Sequence, residues 1–191
     1  MAKLHPTLWR TCRMLSGKTR LDLLRRVIDS PEQTVSDLAR HLNISLPRAS
    51  QELRRLQSRG LIQANRRGMN LLYRPVPDPL VSTAAPLLQA MKETFRRYPA
   101  TDDEQAIRIA TGFSHVRRLV IARLLRIGPM DTRELEALAG MSRDALNRHL
   151  LTLKAAGCVR REGKRIHLED NPHPLAQCLI GILKDSPPFP A

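Results

Sequence analysis

The stretch Thr34-Val-Ser-Asp-Leu-Ala-Arg-His-Leu-Asn-Ile-Ser45 returns 97 residues later as Asp131-Thr-Arg-Glu-Leu-Glu-Ala-Leu-Ala-Gly-Met-Ser142. At that constant offset Leu38 falls on Leu135, Ser45 on Ser142, Leu53 on Leu150, Leu56 on Leu153 and Gly60 on Gly157. Both copies run on into a short β-prone stretch, Leu61-Ile62 and Cys158-Val159. A basic, glycine-containing turn follows in each: Asn65-Arg66-Arg67-Gly68, and Glu162-Gly163-Lys164. A second β-prone run then covers Asn70 to Tyr73 and Arg165 to Leu168. Pro77-Asp-Pro-Leu80 is echoed by Pro172-His-Pro-Leu175, and upstream Arg20-Leu-Asp-Leu-Leu24 loosely by Arg118-Leu-Val-Ile-Ala122. Two copies at this spacing imply two domains of one kind, not a solenoid.

Over residues 18–29, Leu21, Leu24, Val27 and Ile28 keep the i, i+3, i+4 spacing of an amphipathic helix. Ser30-Pro31 ends it. A second short helix is expected from about Val35 to Leu42, burying Val35, Leu38, Ala39 and Leu42, with Asn43 as its tight exit. Ser45 has the chemistry of an N-cap, its hydroxyl able to accept from a first-turn N–H. Pro47 is tolerated there because first-turn N–H groups have no intrahelical acceptor. The third helix buries Ala49, Leu53 and Leu56 and stops at Gly60 in the C′ position. Two helices joined by such a turn, the second one capped, form a helix-turn-helix, and the hairpin after it is a wing with a basic tip. The second copy follows suit. Leu119, Leu124 and Leu125 line its first helix, Gly128-Pro129 stops it, and Leu135 and Leu138 belong to its second. Ser142 caps a third that buries Leu146, Leu150 and Leu153 and ends at Gly157.

The expected fold class is mainly α with small β-hairpin wings (α+β), as two tandem winged helix-turn-helix domains. The expected organisation is a helical extension over 1–17, a first winged unit over 18–78, a helical linker or dimerisation segment over 79–113, and a second winged unit over 114–171. A C-terminal helix over 172–184 and a proline-rich, disordered tail over 185–191 complete it. Within the linker, Leu80 to Phe95 reads as a helix interrupted at Pro86. Pro99 to Gln105 reads as a connection whose Asp102-Asp103 supply helix-start charges.

The 191 residues carry 32 Lys+Arg against 18 Asp+Glu, a net charge of +14 that points to polyanionic partners. Residues 1–100 hold 18 basic and 7 acidic side chains, so the first half is the stronger polyanion binder. Of the basic residues 26 are arginine, the side chain suited to bidentate contact with phosphate and guanine. A hydrophobic content of 42% excludes wholesale disorder. The longest apolar-plus-glycine run, Cys178 to Leu183, falls far short of the ~18 residues of a spanning helix, and the first residues lack a secretory apolar core. The three cysteines Cys12, Cys158 and Cys178 are odd in number and far apart, which fits a reducing compartment. The expectation is a cytoplasmic, nucleoid-associated protein with no membrane contact. Six aromatic residues are too few to build stacking platforms for single strands.

Leu38-Ala39-x-x-Leu42, Ser45, Ser50, Leu53, Leu56 and Gly60-Leu61-Ile62 in the first unit carry a family resemblance, as do Leu135, Ser142, Leu150, Leu153 and Gly157-Cys158-Val159 in the second. On these residues both units resemble the winged helix-turn-helix of ArsR-like bacterial and archaeal repressors, over about 18–80 and 115–175. The resemblance implies a transcriptional regulator whose post-wing helix serves dimerisation. Here that segment either packs the two units together as a covalent pseudo-dimer or pairs two chains.

A helix fits the major groove, and its exposed N-terminal residues reach base edges. In the first unit the DNA-contacting candidates are Ser45, Leu46, Pro47, Arg48, Ser50, Gln51, Arg54, Arg55, Arg66 and Arg67. Gln51 suits adenine and Arg48 suits guanine or phosphate. Ser50 permits close approach, Arg54 and Arg55 suit the backbone, and Arg66 and Arg67 suit the minor groove or phosphate. In the second unit the candidates are Ser142, Arg143, Asn147 and Arg148, with Arg160, Arg161, Lys164 and Arg165 on the wing. Asp144 repels phosphate there, and Leu151 stands where the first unit has Arg54. The second unit therefore reads either as a DNA contact or as a surface turned to dimerisation or a protein partner.

Metal-sensing relatives carry paired cysteines or His/Asp clusters, and the sequence has neither spacing. It also has no Gly-rich phosphate loop, GxSxG or HExxH. No cofactor and no enzyme activity are expected, and no effector is identified. The leading expectation is a sequence-specific double-stranded DNA-binding transcriptional regulator of repressor type. The rivals are a winged-helix assembly protein of chromosome-segregation or polymerase-accessory kind and a plasmid or phage replication initiator.

Overall fold

The computed structural model of the protein describes residues 8–185. The tail after Asp185 and the first seven residues of the expected N-terminal extension lie outside the described residues. The elements in chain order are α1 (Leu8–Leu15), α2 (Lys18–Asp29), β1 (Gln33–Thr34), α3 (Val35–His41), α4 (Leu46–Gln57), β2 (Gln63–Arg67), β3 (Asn70–Arg74) and α5 (Ala84–Arg97). A 3-10 turn (Ala100–Asp102) leads to α6 (Asp103–Gly112), α7 (Val116–Ile127), β4 (Met130–Asp131), α8 (Thr132–Ala139), α9 (Arg143–Ala155), β5 (Val159–Glu162), β6 (Arg165–Leu168) and α10 (Pro174–Asp185). The protein is mainly helical with two small antiparallel sheets.

The order helix, helix, strand, helix, helix, strand, strand, helix occurs twice, α1 to α5 and α6 to α10. The two sheets have matching orders, β1-β3-β2 and β4-β6-β5, with every pairing antiparallel. The two-residue strands β1 and β4 escaped the sequence reading because they are too short to display a period. Both lead directly into a capping box. Thr34 Oγ1 accepts from Asp37 N–H while Asp37 returns to Thr34 N–H, each at 3.2 Å. Asp131 and Glu134 make the same exchange at 2.9 and 2.7 Å. The Thr34 hydrogen bonds hold the Asp37 carboxyl below its ordinary range.

The third helix of each set ends on its glycine in a Schellman motif. Gly60 N–H donates to Gln57 C=O at 2.8 Å and Leu61 N–H to Leu56 C=O at 3.2 Å. Gly157 and Cys158 repeat the two bonds at 2.9 and 3.0 Å. Both glycines have φ above +60°, where a side chain would be strained.

Two expectations for the 79–113 segment are corrected. Pro86 does not interrupt a helix, because α5 begins at Ala84 and Pro86 sits in its first turn, where no intrahelical N–H is needed. The Pro99–Gln105 connection is a 3-10 turn running straight into α6, and Asp103 is not a solvated helix-start charge. Its side chain is 1% exposed and pairs with Arg25 of α2. Arg25 also donates to Phe95 C=O at 3.3 Å and Tyr98 C=O at 3.2 Å, and its guanidinium lies 4.1 Å from the Phe95 ring centroid.

The core is one continuous cluster reaching from Leu8 to Leu183. It is continuous because corresponding helices cover each other: α1 packs on α6, and α5 packs on α10. Tyr98, at the end of α5, stacks on His173, just before α10, with centroids 5.0 Å apart and planes 4° from parallel. His173 Nδ1 accepts from Leu175 N–H at 3.2 Å, and Asn171 Nδ2 donates to Gly157 C=O at 3.0 Å. Cys158 is buried, whereas Cys178 is only half-buried. Burial pushes the Cys158 thiol up to about 12 and the Cys178 thiol up to about 11, so both stay protonated at neutral pH.

Two measurements follow from this packing. Asp103→Ala leaves the Arg25 charge half-buried without its carboxylate and should lower stability by about 3 kcal/mol in urea unfolding, whereas Glu104→Ala on the exposed side of α6 should change it by less than about 0.5 kcal/mol. Burial, with Arg97 adding to it, pushes the His173 imidazole down to about 4. The unfolded imidazole takes its proton near the ordinary 6.5. The stability present above that value is therefore lost as pH falls from 6.5 toward about 4. His173→Asn should flatten that part of the stability-against-pH curve.

Candidate nucleic-acid interface

The first helix-turn-helix is set by three adjacent backbone decisions. Asn43 adopts a left-handed φ of 51° and closes α3, with Ile44 N–H reaching back to Ala39 C=O at 3.0 Å. Ser45 stays extended and its Oγ accepts from Arg48 N–H at 3.4 Å. Pro47 occupies the first turn of α4. Ala49, Leu53 and Leu56 then point into the core, which turns Pro47, Arg48, Gln51 and Arg54 out to solvent, with Ser50 half-buried among them. These five line one shallow concavity. Leu46, at the start of the helix, is exposed beside it.

The cations on this face are held loosely. Arg48 donates only to the Thr19 hydroxyl of α2, at 3.0 Å. Arg54 and Arg66 have no hydrogen-bond or ion-pair partner among the described residues. Arg67 lies 3.8 Å from Glu32, a carboxylate that also pairs with Arg74. The hairpin register places Arg66 opposite Leu71 and Arg67 opposite Asn70. Both arginines are therefore the last strand residues and not part of the turn. The turn is Gly68-Met69, with Gly68 at φ +61° and Met69 fully exposed. As consecutive strand residues, Arg66 and Arg67 project to opposite faces of the hairpin.

Arg55 departs from the expected set. Its guanidinium binds Glu52 Oε1 at 2.8 Å, while Arg20 of α2 takes Oε2 at 3.0 Å. Arg55 thus lies in a cleft against α1, apart from Arg54. Glu52 is buried on the core side of α4 and was missed by the sequence reading, because nothing in its neighbourhood announces a partner 32 residues upstream.

The second unit repeats the backbone and changes the chemistry. Gly140, at φ +59°, closes α8, and Ser142 Oγ accepts from Ala145 N–H at 3.4 Å. Arg143, Asp144, Asn147, Arg148 and Leu151 are exposed along α9. Arg143 is clamped onto Glu136 of α8 by two bonds of 2.8 and 2.9 Å. This clamp holds the Glu136 carboxyl below its ordinary range and raises the Arg143 guanidinium. Arg160 pairs with Glu162 at 2.5 Å and Glu169 at 3.3 Å. Arg161 donates to the Thr132 hydroxyl at 3.4 Å, and Arg165 to Pro129 C=O at 3.0 Å. Lys164 follows Gly163 in the exposed hairpin turn, and the Arg148 side chain has no partner among the described residues.

The second set is also divided in space. Asn147 shares a groove between α9 and the hairpin with Leu150, Leu151, Lys154 and Arg160, whereas Arg143 and Lys164 line a separate hollow near Asp131. Leu151 is 67% exposed where α4 presents Arg54. His149 of α9 lies against His115, with ring centroids 4.9 Å apart. Burial, then the neighbouring cations, pushes both imidazoles down, so neither adds charge to this face at neutral pH. Among the described residues no group of three His, Cys, Asp or Glu side chains is placed to hold a metal ion. No described helix is long and apolar enough to cross a membrane.

No curated protein matches the chain. Residues 17–68 match the model of the MarR family, a family of transcription regulators. The matched segment runs from the residue before α2 through α4 to the Gly68 turn, so it holds the whole first helix-turn-helix and the first hairpin strand. The sequence resemblance drawn on Leu38, Ser45 and Gly60 points to ArsR-like regulators and the matching model is that of the MarR family. What the two share, a helix-turn-helix of a DNA-binding transcriptional regulator, is what the match supports for residues 17–68.

Proposed function

We propose that the protein is a sequence-specific duplex-DNA-binding transcriptional regulator built from two tandem winged helix-turn-helix domains, acting as a repressor by occupying a promoter. One observation carries the reading. The capped helix α4 presents Pro47, Arg48, Ser50, Gln51 and Arg54 to solvent beside a hairpin that ends in Arg66 and Arg67. In this reading α4 enters the major groove. Gln51 and Arg48 meet base edges, Ser50 allows close approach, and Arg54 grips the backbone. Arg66 and Arg67 grip phosphate or the adjacent minor groove. The proposed domains, 18–78 and 114–171, take in α2 to β3 and α7 to β6 of the repeated order, and the pairings α1 on α6 and α5 on α10 support a covalent pseudo-dimer. The paired cations and exposed Leu151 of the second unit favour a weaker, non-identical half-site there. No catalytic role enters the reading.

Two features of one titration test it. Binding of the full chain to a random duplex should weaken with salt, with log K falling against log salt at a slope steeper than about −3, and a flat line contradicts phosphate neutralisation. Arg66→Ala with Arg67→Ala should weaken all duplexes alike and reduce that slope by about 1 to 2. Arg48→Ala with Gln51→Ala should instead relax discrimination among duplexes, by about 1–3 kcal/mol per lost base contact.

A further inference from the structure

A concavity lined by five arginines lies apart from the face just described. It is an open cleft of about 420 Å³ between α1, the start of α2 and the C-terminal half of α4. Its walls carry Arg10 and Arg13 from α1, Arg20 from α2, Arg55 from α4 and Arg59 from the turn that follows it, around Trp9. The Arg10 and Arg13 guanidinium carbons lie 5.1 and 5.2 Å from the Trp9 ring centroid. Among the described residues the only carboxylate bonded to any of the five is Glu52, shared by Arg20 and Arg55. Arg10, Arg13 and Arg59 have no acidic partner among the described residues. Like charges brought together without counter-charges repel one another, and an anion bound among them removes that repulsion. Guanidinium forks are also the geometry that matches phosphate oxygens.

The place of the cleft separates it from the groove-facing surface. Arg55, in the last turn of α4, and Arg59, just past its end, line the cleft with α1 residues, whereas Pro47, Arg48, Ser50, Gln51 and Arg54 line the other concavity. Two of the cleft's arginines are also the two that hold Glu52, a buried residue of the recognition helix. An anion drawing on Arg20 and Arg55 competes with Glu52 for them and so acts on how α4 is seated.

We propose that this arginine cleft binds a small, multiply charged anion of the phosphate class, and that Arg20 and Arg55, through Glu52, link its occupancy to the seating of α4. The link to DNA affinity rests on the proposed function, whereas the binding itself does not, so the two can fail separately.

Trp9 is the single tryptophan of the chain and lines the cleft, so its fluorescence reports on this site alone. The full chain is titrated with inorganic tripolyphosphate and, in parallel, with sodium chloride at matched ionic strength. The expected result is a saturable change with tripolyphosphate that chloride does not reproduce. Arg10→Gln, on α1, and Arg59→Gln, in the turn after α4, should each weaken it about tenfold with circular dichroism unchanged. A change that never saturates, an equal response to chloride, or wild-type affinity in both folded variants overturns the proposal. Should either variant fail to fold, the wild-type comparison of the two salts decides. A random duplex in place of tripolyphosphate separates a free anion from a DNA backbone phosphate. Arg59→Gln should keep the wild-type duplex affinity, and a loss as large as that of Arg54→Ala would reassign the cleft to DNA and overturn the proposal. Tripolyphosphate weakening duplex binding in the wild type but not in Arg59→Gln is the sign of the coupling.

Discussion

The structure rests on the need to cover the flanking helices. α1, α6, α5 and α10 are 8 to 14 residues long, a length at which an isolated helix is marginal in water. Each carries an apolar stripe: Leu8, Cys12 and Leu15 on α1, Ala106, Ile109 and Ala110 on α6, Leu87, Leu88 and Met91 on α5, Leu175, Leu179 and Leu183 on α10. Exposed, these stripes would be aggregation-prone patches. Within the chain each is covered by the helix at the same place in the repeated order. The Arg25–Asp103 pair and the Tyr98–His173 stack fasten this arrangement at two further points.

The third helices of the two sets, α4 and α9, present different chemistry on a similar backbone. Backbone placement is the same in both: a serine cap, apolar residues at matching positions and a left-handed glycine stop. Side-chain chemistry is not. In the first unit Arg54 and Arg66 are unpaired and Arg48 rests on a hydroxyl. In the second, Glu136, Glu162 and Glu169 occupy Arg143 and Arg160, and a leucine replaces the helix-centre arginine. Exposed pairs of this kind are weak, about 0–1 kcal/mol each, so they add little stability. Their effect is on the local field, which a phosphate backbone senses before any base contact is made. In the proposed reading, unequal faces of this kind suit an asymmetric target.

What the sequence made legible was local. Ser45 and Ser142 as caps, Asn43 as an exit, Gly60 and Gly157 as stops and the breaks at Ser30-Pro31 and Gly128-Pro129 all follow from groups within a few residues of one another, and each is where its chemistry puts it. The repeat at an offset of 97 made the recurring order of elements visible. What stayed hidden depended on distant partners. Asp103 looked like a linker charge because Arg25 is 78 residues away, and Arg55 looked like a backbone clamp because Arg20, which shares Glu52 with it, lies in another helix. Arg143 looked free because Glu136 belongs to α8. The hairpin turn was misplaced by two residues because Arg66 and Arg67 look like turn residues by charge, whereas cross-strand register against Leu71 and Asn70 decides the matter. Pro86 looked like a break only because the start of α5 was placed four residues too early.

The central claim is that α4 reads duplex sequence while a second, different unit engages beside it. Selecting bound duplexes from a random pool with the full chain, then sequencing them, tests this most directly. The account predicts an enriched, non-palindromic motif whose stronger half vanishes when Gln51 is changed to alanine, with the two halves about one helical turn apart. A pool that shows no enrichment, or a motif indifferent to Gln51, would contradict it.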